Sequence, residues 1–430
     1  MSTDPSNDNL PADSHPYDVL RNANFVRYLL GRFIANSGQQ MFAMAVGWEI
    51  YERTGSAMAL GLVGLTQVVP MFLFTLPAGH LADNHSRKQI IMITVSVVAA
   101  ANVGLAVISA FGAPVPLMYL CLFVASSART FSGAAIASFL PQLVERPMFS
   151  RAVTWNSGMF QLSSIIGPSL GGILIAAFAH RAWPIYALNT LAALSFCALL
   201  GSIRIKQVIA VKEKLTFENL LTGFRFVFST RIVLGIITLD MFAVLLGGAT
   251  ALLPVYAKEI LQGGPRALGF LQAALPLGAL LCAFYLAHRP PLQKAGRSLL
   301  WSVVCFGLAT IAFGLSQWFW FSFAMLFACG MADNVSVVVR HTLVQLLTPD
   351  EKRGRVSAVN NLFIGTSNEL GEFESGSVAK LCGPMIGNTV AMGAIISVVT
   401  GGVGTLVVVA AVALLWPEIR RYGRLDQAGL

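Results

Sequence analysis

The chain has 430 residues, of which 56% are hydrophobic and only 11% charged, and it carries a formal net charge of +9. A soluble domain averages about 25% charged residues, and a water-soluble protein of this length could not cover its surface with so few. Soluble enzymes are excluded, and the solvent for most of the chain is lipid.

Residues 1–22 are polar, with Asp4, Asp8 and Asp13 set among Pro5, Pro11 and Pro16. That composition predicts a disordered tail. The tail lacks the basic start and cleavage site of a signal peptide, so the first apolar helix is expected to be retained. A membrane-spanning helix needs about 20 apolar residues. On that length the sequence predicts twelve, over 25–50, 57–81, 88–111, 115–140, 152–179, 183–203, 231–257, 266–287, 298–316, 318–346, 355–380 and 385–416. The expected fold is an all-α membrane protein of two six-helix bundles, residues 23–204 and 231–418, with a short tail at 419–430.

Between the bundles, residues 205–230 place Phe217, Leu220, Leu221, Phe224 and Phe228 at helical spacing beside Lys212, Lys214, Arg225 and Arg231. An apolar stripe with basic flanks predicts a helix lying in the membrane interface. Most of the 29 Lys and Arg residues fall on the face shared by the two termini, whereas Arg53, Arg181, Lys258, Arg266 and Lys380 fall on the other. Such an excess predicts that both termini are cytoplasmic. The basic balance is thus an orientation signal, and no nucleic acid is expected as a partner.

The two halves repeat one another. Arg27-x-x-Leu-Gly31 returns as Arg231-x-x-Leu-Gly235, and Arg151, Asn156, Ser163, Gly167 and Gly172 return as Arg355, Asn360, Ser367, Gly371 and Gly376, all at an offset of 204. Ala59-Leu60-Gly61 matches Ala267-Leu268-Gly269 at 208, which predicts a small insertion between spans seven and eight. Paired halves in an apolar chain are how secondary transporters build a site at a shared interface.

Three motifs carry the chemistry. Between spans two and three stands Gly79-His80-Leu81-Ala82-Asp83-Asn84-His85-Ser86-Arg87-Lys88. Gly79 is expected at the helix end, where it permits a tight turn. Asp83 with Arg87 and Lys88 is then expected to form a conformational latch on the cytoplasmic face. Span four offers Arg129-Thr-Phe-Ser-Gly133, and span five Gly167-Pro168-Ser169-Leu170-Gly171-Gly172. Pro168 removes a backbone hydrogen bond and bends its helix, while Gly167, Gly171 and Gly172 let neighbours pack closely.

These motifs resemble the major facilitator superfamily: the loop signature G-x-L-A-D-x-x-x-R-K, the arginine followed by glycine in span four, and the antiporter-associated pattern in span five. In the last, Ser163 replaces the family's earlier Gly. The start Asn24-Phe25-x-x-Tyr28-Leu29-x-Gly31-Arg32, with the span-five motif, is similar to the drug and siderophore exporter branch, the enterobactin-exporter-like group. The resemblance implies proton-driven efflux from a bacterial inner membrane by alternating access.

Span eleven is unusual: Ser367-Asn368-Glu369-Leu370-Gly371-Glu372-Phe373-Glu374 sets three carboxylates midway along an apolar helix. Glu369 and Glu372 share a face, and Glu372 takes the repeat position of Pro168. Asp240 lies in span seven, and Asp333 in span ten at the repeat position of Arg129. The embedded acids outnumber the embedded bases Arg32, Arg129 and Arg340. An unpartnered acid in low dielectric tends to keep its proton, which is what proton coupling requires. The expected coupling set is therefore Asp240, Asp333, Glu369, Glu372 and Arg129. The competing reading is a cation site, disfavoured because no His or Cys joins the acids; Arg129 has the competing reading of a structural ion pair.

Arg32, Asn36, Gln39, Gln40, Asn334, Arg340 and Glu374 are expected to line the substrate cavity. The six cysteines show no metal spacing; neither metal nor cofactor is expected, and no nucleophile–base pair suggests an enzyme. The expected protein is a monomer whose partners are a small amphiphilic molecule, protons and the bilayer. A proton-coupled importer and a lysophospholipid flippase of the same fold stay open as alternatives. A receptor is disfavoured because the soluble segments are too short for a signalling domain.

Overall fold

The computed structural model describes residues 17–204, 224–289, 294–383 and 389–423. Among them run twelve long helices: α1 (Ala23–Thr54), α2 (Ala57–Asn84), α3 (Arg87–Phe111), α4 (Val115–Phe139), α5 (Phe149–Ala177), α6 (Trp183–Gly201), α7 (Arg231–Leu246), α8 (Gly264–Ala287), α9 (Ala295–Gly314), α10 (Phe319–Leu347), α11 (Asp350–Cys382) and α12 (Val390–Leu415). A short α13 (Pro417–Arg421) follows. Ten are long and apolar enough to cross a membrane. The exceptions, α1 and α11, carry the densest polar and charged residues, which lower their apolar content without shortening them.

In the first bundle, α1 packs on α5 and α6, α3 on α4 and α6, and α2 on α4. Six helices later the same pairs return: α7 on α11 and α12, α9 on α10 and α12, and α8 on α10. The bundles meet along two seams, α5 against α8 and α2 against α11, which the repeat maps onto each other. Glycine explains the closeness. A methyl group on Gly172 would strike the Pro265 carbonyl and lie 3.1 Å from the Gly269 Cα; one on Gly376 would lie 2.7 Å from the Ala57 carbonyl and 2.9 Å from the Gly61 Cα.

Both glycine contacts lie toward the end of the molecule opposite the termini, here termed the far face. Two hydrogen bonds also tie the bundles there, from the Tyr51 hydroxyl to Glu259 at 3.2 Å and from the Ser377 hydroxyl to the Met58 sulfur at 3.5 Å. Trp48 and Tyr51, whose position suggests interface anchors, are instead buried in the apolar cluster that seals this end. Trp318 and Trp320 are exposed.

The structure departs from the sequence expectations in four places. Span seven is broken: α7 stops at Gly247, and the chain continues as a 3-10 turn (Ala249–Leu252), a single turn (Leu253–Val255) and a π turn (Tyr256–Ile260). Gly248 is pressed so closely on α11 that a Cβ would lie 2.6 Å from the Gly371 carbonyl. At the first inner connection, α2 continues to Asn84, so Gly79 and Asp83 are helical and the turn is only His85-Ser86. Asn84 bonds back to the His80 carbonyl at 3.0 Å, and the Ser86 hydroxyl caps α3 by accepting from the Gln89 amide.

Parts of both expected tails are structured. Asp18–Arg21 form a 3-10 turn with Val19 buried, and Tyr17 stacks near Trp155 at 6.0 Å. Ile419 of α13 is buried against Gly235 and Gly296. Of the linker, 224–229 is helical; residues 205–223, with Phe217, Leu220, Leu221, Lys212 and Lys214, lie outside the described residues.

Within the second bundle, α8 and α10 touch at Gly278 and Gly330, where a Cβ would meet the carbonyls of Phe327 and Leu275 respectively. Overpacking of this kind costs about 1–3 kcal/mol. Gly330→Val is therefore expected to lower the thermal transition of the purified protein in detergent; an unchanged transition would show that these helices separate freely.

Candidate functional site

A cavity of about 750 Å³ lies between the bundles, with walls from α1, α2, α4 and α5 on one side and from α8, α10, α11 and the broken segment after α7 on the other. Its size falls within the range of about 300–1,000 Å³ usual for small-molecule sites. Phe42, Phe160, Leu271 and Pro276 make it apolar, while Gln39, Gln40, Gln67, Gln272, Asn368, Glu369 and Glu372 supply the polar groups. Gln40 is held in place by donating to the Ser164 hydroxyl at 3.0 Å. Gln67, Gln272, Asn368 and Ser164 escape sequence reasoning, because single amides and hydroxyls in apolar helices look like packing contacts.

Glu369 and Glu372 share the cavity-facing side of α11, one helical turn apart; Glu374, two residues on, is absent from the wall and accepts from Ser375. On the opposite side, Arg129 of α4 does not itself line the cavity but donates to the wall residue Gln67 of α2 at 3.3 Å. The Arg129 guanidinium and the Glu369 carboxylate lie within electrostatic reach of each other across the bundle interface. Each retains one buried polar atom without a hydrogen-bond partner, Nη1 of Arg129 and Oε2 of Glu369. Two opposite charges that each keep an unsatisfied polar atom can admit a proton or a polar ligand between them.

Behind this wall, a side pocket of about 150 Å³ runs into the second bundle, lined by Asp333 of α10, by Thr310 and Phe306 of α9, and by Gly247, Gly248 and Thr250 at the break in α7. Glu372 and Asn368 line both spaces. Asp333 thus lines the side pocket, which meets the central cavity at Glu372 and Asn368.

Asp240 stands apart. Its carboxylate forms a buried ion pair with Arg340, joining α7 to α10 inside the second bundle, and neither side chain lines either cavity. Their expected roles are not brought to the site by this arrangement. Arg32, Asn36 and Asn334 likewise lie off the cavity wall, although Nε of Arg32 and Oδ1 of Asn334 are buried without partners. Among the described residues, no group of three or more His, Cys, Asp or Glu side chains could hold a metal ion.

The glycines of α5 divide their work. Gly167 and Gly171 admit α1, with a Cβ on Gly167 lying 2.5 Å from the Gln40 Cβ, whereas Gly172 admits α8 across the seam. Pro168 lies inside the helix at the cavity wall between them. Of the expected latch, Arg87 is buried and donates to the Ser138 carbonyl at 3.2 Å, and Lys88 donates to the Gly201 and Ile203 carbonyls at 2.8 Å. Both cations therefore satisfy the ends of α4 and α6, as cations at helix C-termini do. The side chain of Asp83 lies outside the described residues.

A buried acid the sequence reading passed over is Glu49, which pairs with Arg53 at 2.5 Å and accepts from the Tyr186 hydroxyl at 2.6 Å. Its signal was the i, i+4 spacing of opposite charges at the end of the first span.

The comparisons agree with this architecture. The profile of the transmembrane secretion effector family matches residues 14–414. The chain is 26% identical over 401 residues to the enterobactin exporter EntS of Escherichia coli O1:K1 / APEC, covering 93% of each protein, and equally similar to that of Shigella boydii serotype 18. Among solved structures it resembles a bacterial homolog of the human lysosomal transporter Spinster (TM-score 0.67, 15% identity, 96% and 98% of the two chains). It also resembles the nucleoside transporter NupG (0.69, 14%, 93% and 99%) and a bacterial homologue of the iron transporter ferroportin (0.69, 17%, 91% and 99%). Twelve helices in two repeated bundles around a shared cavity, with this family match over nearly the whole length, make the chain a member of the transmembrane secretion effector family of major facilitator transporters.

Proposed function

We propose that this transporter is a proton-coupled exporter of a small amphiphilic molecule, a siderophore or a drug, working as a monomer in a bacterial inner membrane with both termini cytoplasmic. The observation that carries the reading is the cavity shared by the two bundles, with Glu369 and Glu372 on one wall and, facing them, Gln67 with Arg129 bonded behind it. Its mixture of aromatic, aliphatic and amide groups suits an amphiphile, and the family match and the exporter relatives favour export.

In the proposed cycle the molecule is closed at its far face, sealed by the glycine seams and the Tyr51–Glu259 bond, and substrate enters from the cytoplasmic side. Substrate and proton compete at the Arg129–Glu369 pair. A proton binding Glu369 removes its charge and releases Arg129; its departure restores the charge on which a polar substrate group can be set. Asp333 serves as a reserve acceptor behind Glu372, and the Asp240–Arg340 pair holds α7 to α10 as the bundles rock.

The test is transport in proteoliposomes against a panel of siderophores, macrolides and lysophospholipids, at two pH values and both vesicle orientations. Accumulation driven by an opposing proton gradient, with protons moving counter to substrate, is the expected result. Uptake with the gradient would make the protein an importer, leaflet exchange of a labelled lipid would make it a flippase, and the absence of flux for the whole panel would remove the proposed substrate class.

A further inference from the structure

The two seams are built alike but differ at one symmetric position. In the α5–α8 seam the carbonyl of Pro168 lies against Gly269; in the α2–α11 seam the repeat position is Glu372, whose carbonyl would lie 3.2 Å from a Cβ on Gly61. The Glu372 side chain is laid along α2, its Cβ 2.8 Å and its Oε2 3.2 Å from a Cβ built on Gly64. One edge of this carboxyl thus touches the seam, and the other lines the central cavity and the side pocket.

The charged groups around it are few. On α11 the neighbour is Glu369; on α4 it is Arg129, engaged by Gln67 and facing Glu369; on α10 it is Asp333, across the side pocket. The walls from α2, the break after α7, α8 and α9 are uncharged, with Val63 and Gln67, Gly248 and Thr250, Gln272 and Leu275, and Phe306 and Thr310. Glu372 therefore has two acids nearby and no base of its own. An ionised carboxylate without a partner is costly away from water, whereas a neutral carboxyl that can hydrogen-bond costs far less. Closing the seam brings the α2 backbone onto this group, and parting it admits water from the far side.

We infer that Glu372 is the residue through which protonation controls the far face: the α2–α11 seam closes when Glu372 carries its proton and parts when it is ionised, while the α5–α8 seam, with Pro168 at that position, closes regardless of pH. The inference rests on the proton-coupled reading and assigns the conformational part of the coupling to one side chain. The order of events suits export. Glu372 takes a proton from the far side while the seam is open, and the seam closes. The proton then leaves to water in the cavity, and the carboxylate left behind favours reopening with substrate aboard.

The test uses the full-length protein in lipid nanodiscs, with its six cysteines replaced and spin labels at Phe111→Cys and Leu315→Cys, exposed positions at the far ends of α3 and α9. Distances between the labels are measured by electron–electron resonance at acid and alkaline pH, and proton-coupled flux is assayed on the same preparations. In the parent protein the open population is expected to rise at alkaline pH by about fivefold or more, the lower end of typical coupling between sites. Glu372→Gln, and the similarly shaped Glu372→Met, should stay closed at both pH values; Glu369→Gln should keep the pH response. A pH-dependent opening that survives in both Glu372 variants overturns the inference even if flux is proton-coupled. An absence of proton-coupled flux, with the pH response confined to proteins that retain Glu372, would sink the exporter reading and leave the seam mechanism standing.

Discussion

Glu369→Gln is expected to abolish transport driven by a pH gradient while leaving most of the substrate affinity in place. The amide keeps the shape and hydrogen-bonding capacity of the side chain but can neither ionise nor attract Arg129 across the bundle interface. Coupling free energies between sites run to about 1–3 kcal/mol, which sets the expected fall in gradient-driven flux at up to roughly 150-fold. Binding should survive because most of the cavity wall, including Phe42, Phe160, Gln39 and Gln272, is untouched. The checks are flux with and without a gradient and substrate affinity by fluorescence or calorimetry. Undiminished driven flux would eliminate Glu369 as the coupler, and a loss of binding equal to the loss of flux would make it a substrate ligand only.

Asp240→Ala should act by a different route, through folding. The Asp240–Arg340 pair is buried, with Arg340 only 3% exposed. Removing one partner leaves an uncompensated charge at a cost of about 3–5 kcal/mol, while replacing both with apolar residues of similar volume is often neutral or better. Asp240→Ala is thus expected to lower the thermal transition and yield sharply, and the double variant Asp240→Leu/Arg340→Met to recover both. Thermal unfolding followed by tryptophan fluorescence, alongside flux, separates the alternatives. Should Asp240→Asn fold normally and lose only pH-driven transport, Asp240 would belong with the coupling acids after all.

The architecture was legible in the sequence because bilayer thickness and backbone satisfaction leave so few solutions. Twenty or so apolar residues must be a helix, and the offset of 204 between Gly172 and Gly376 already named the two seam positions that prove to face Gly269 and Gly61. The break after Leu246 was less legible. It depends on Gly248 meeting the Gly371 carbonyl, a contact made by a residue more than a hundred positions away. Similarly, Arg87 and Lys88 read as latch cations, but what they reach are the carbonyl ends of α4 and α6, which only the packing of three helices brings within range.

For the acids the division is sharper. Sequence established that embedded carboxylates outnumber embedded bases, and that Glu369 and Glu372 share a helical face, since both follow from residue type and a period of 3.6. Which acid has a basic partner was decided by tertiary structure alone. Asp240 is paired with Arg340, Glu369 confronts Arg129 across the interface, and Glu372 has no base of its own and lies against a glycine seam. Pairing depends on distances of a few ångströms between side chains on different helices. A single chain read in one dimension fixes which face of a helix a charge occupies, but not which neighbour that face is turned toward.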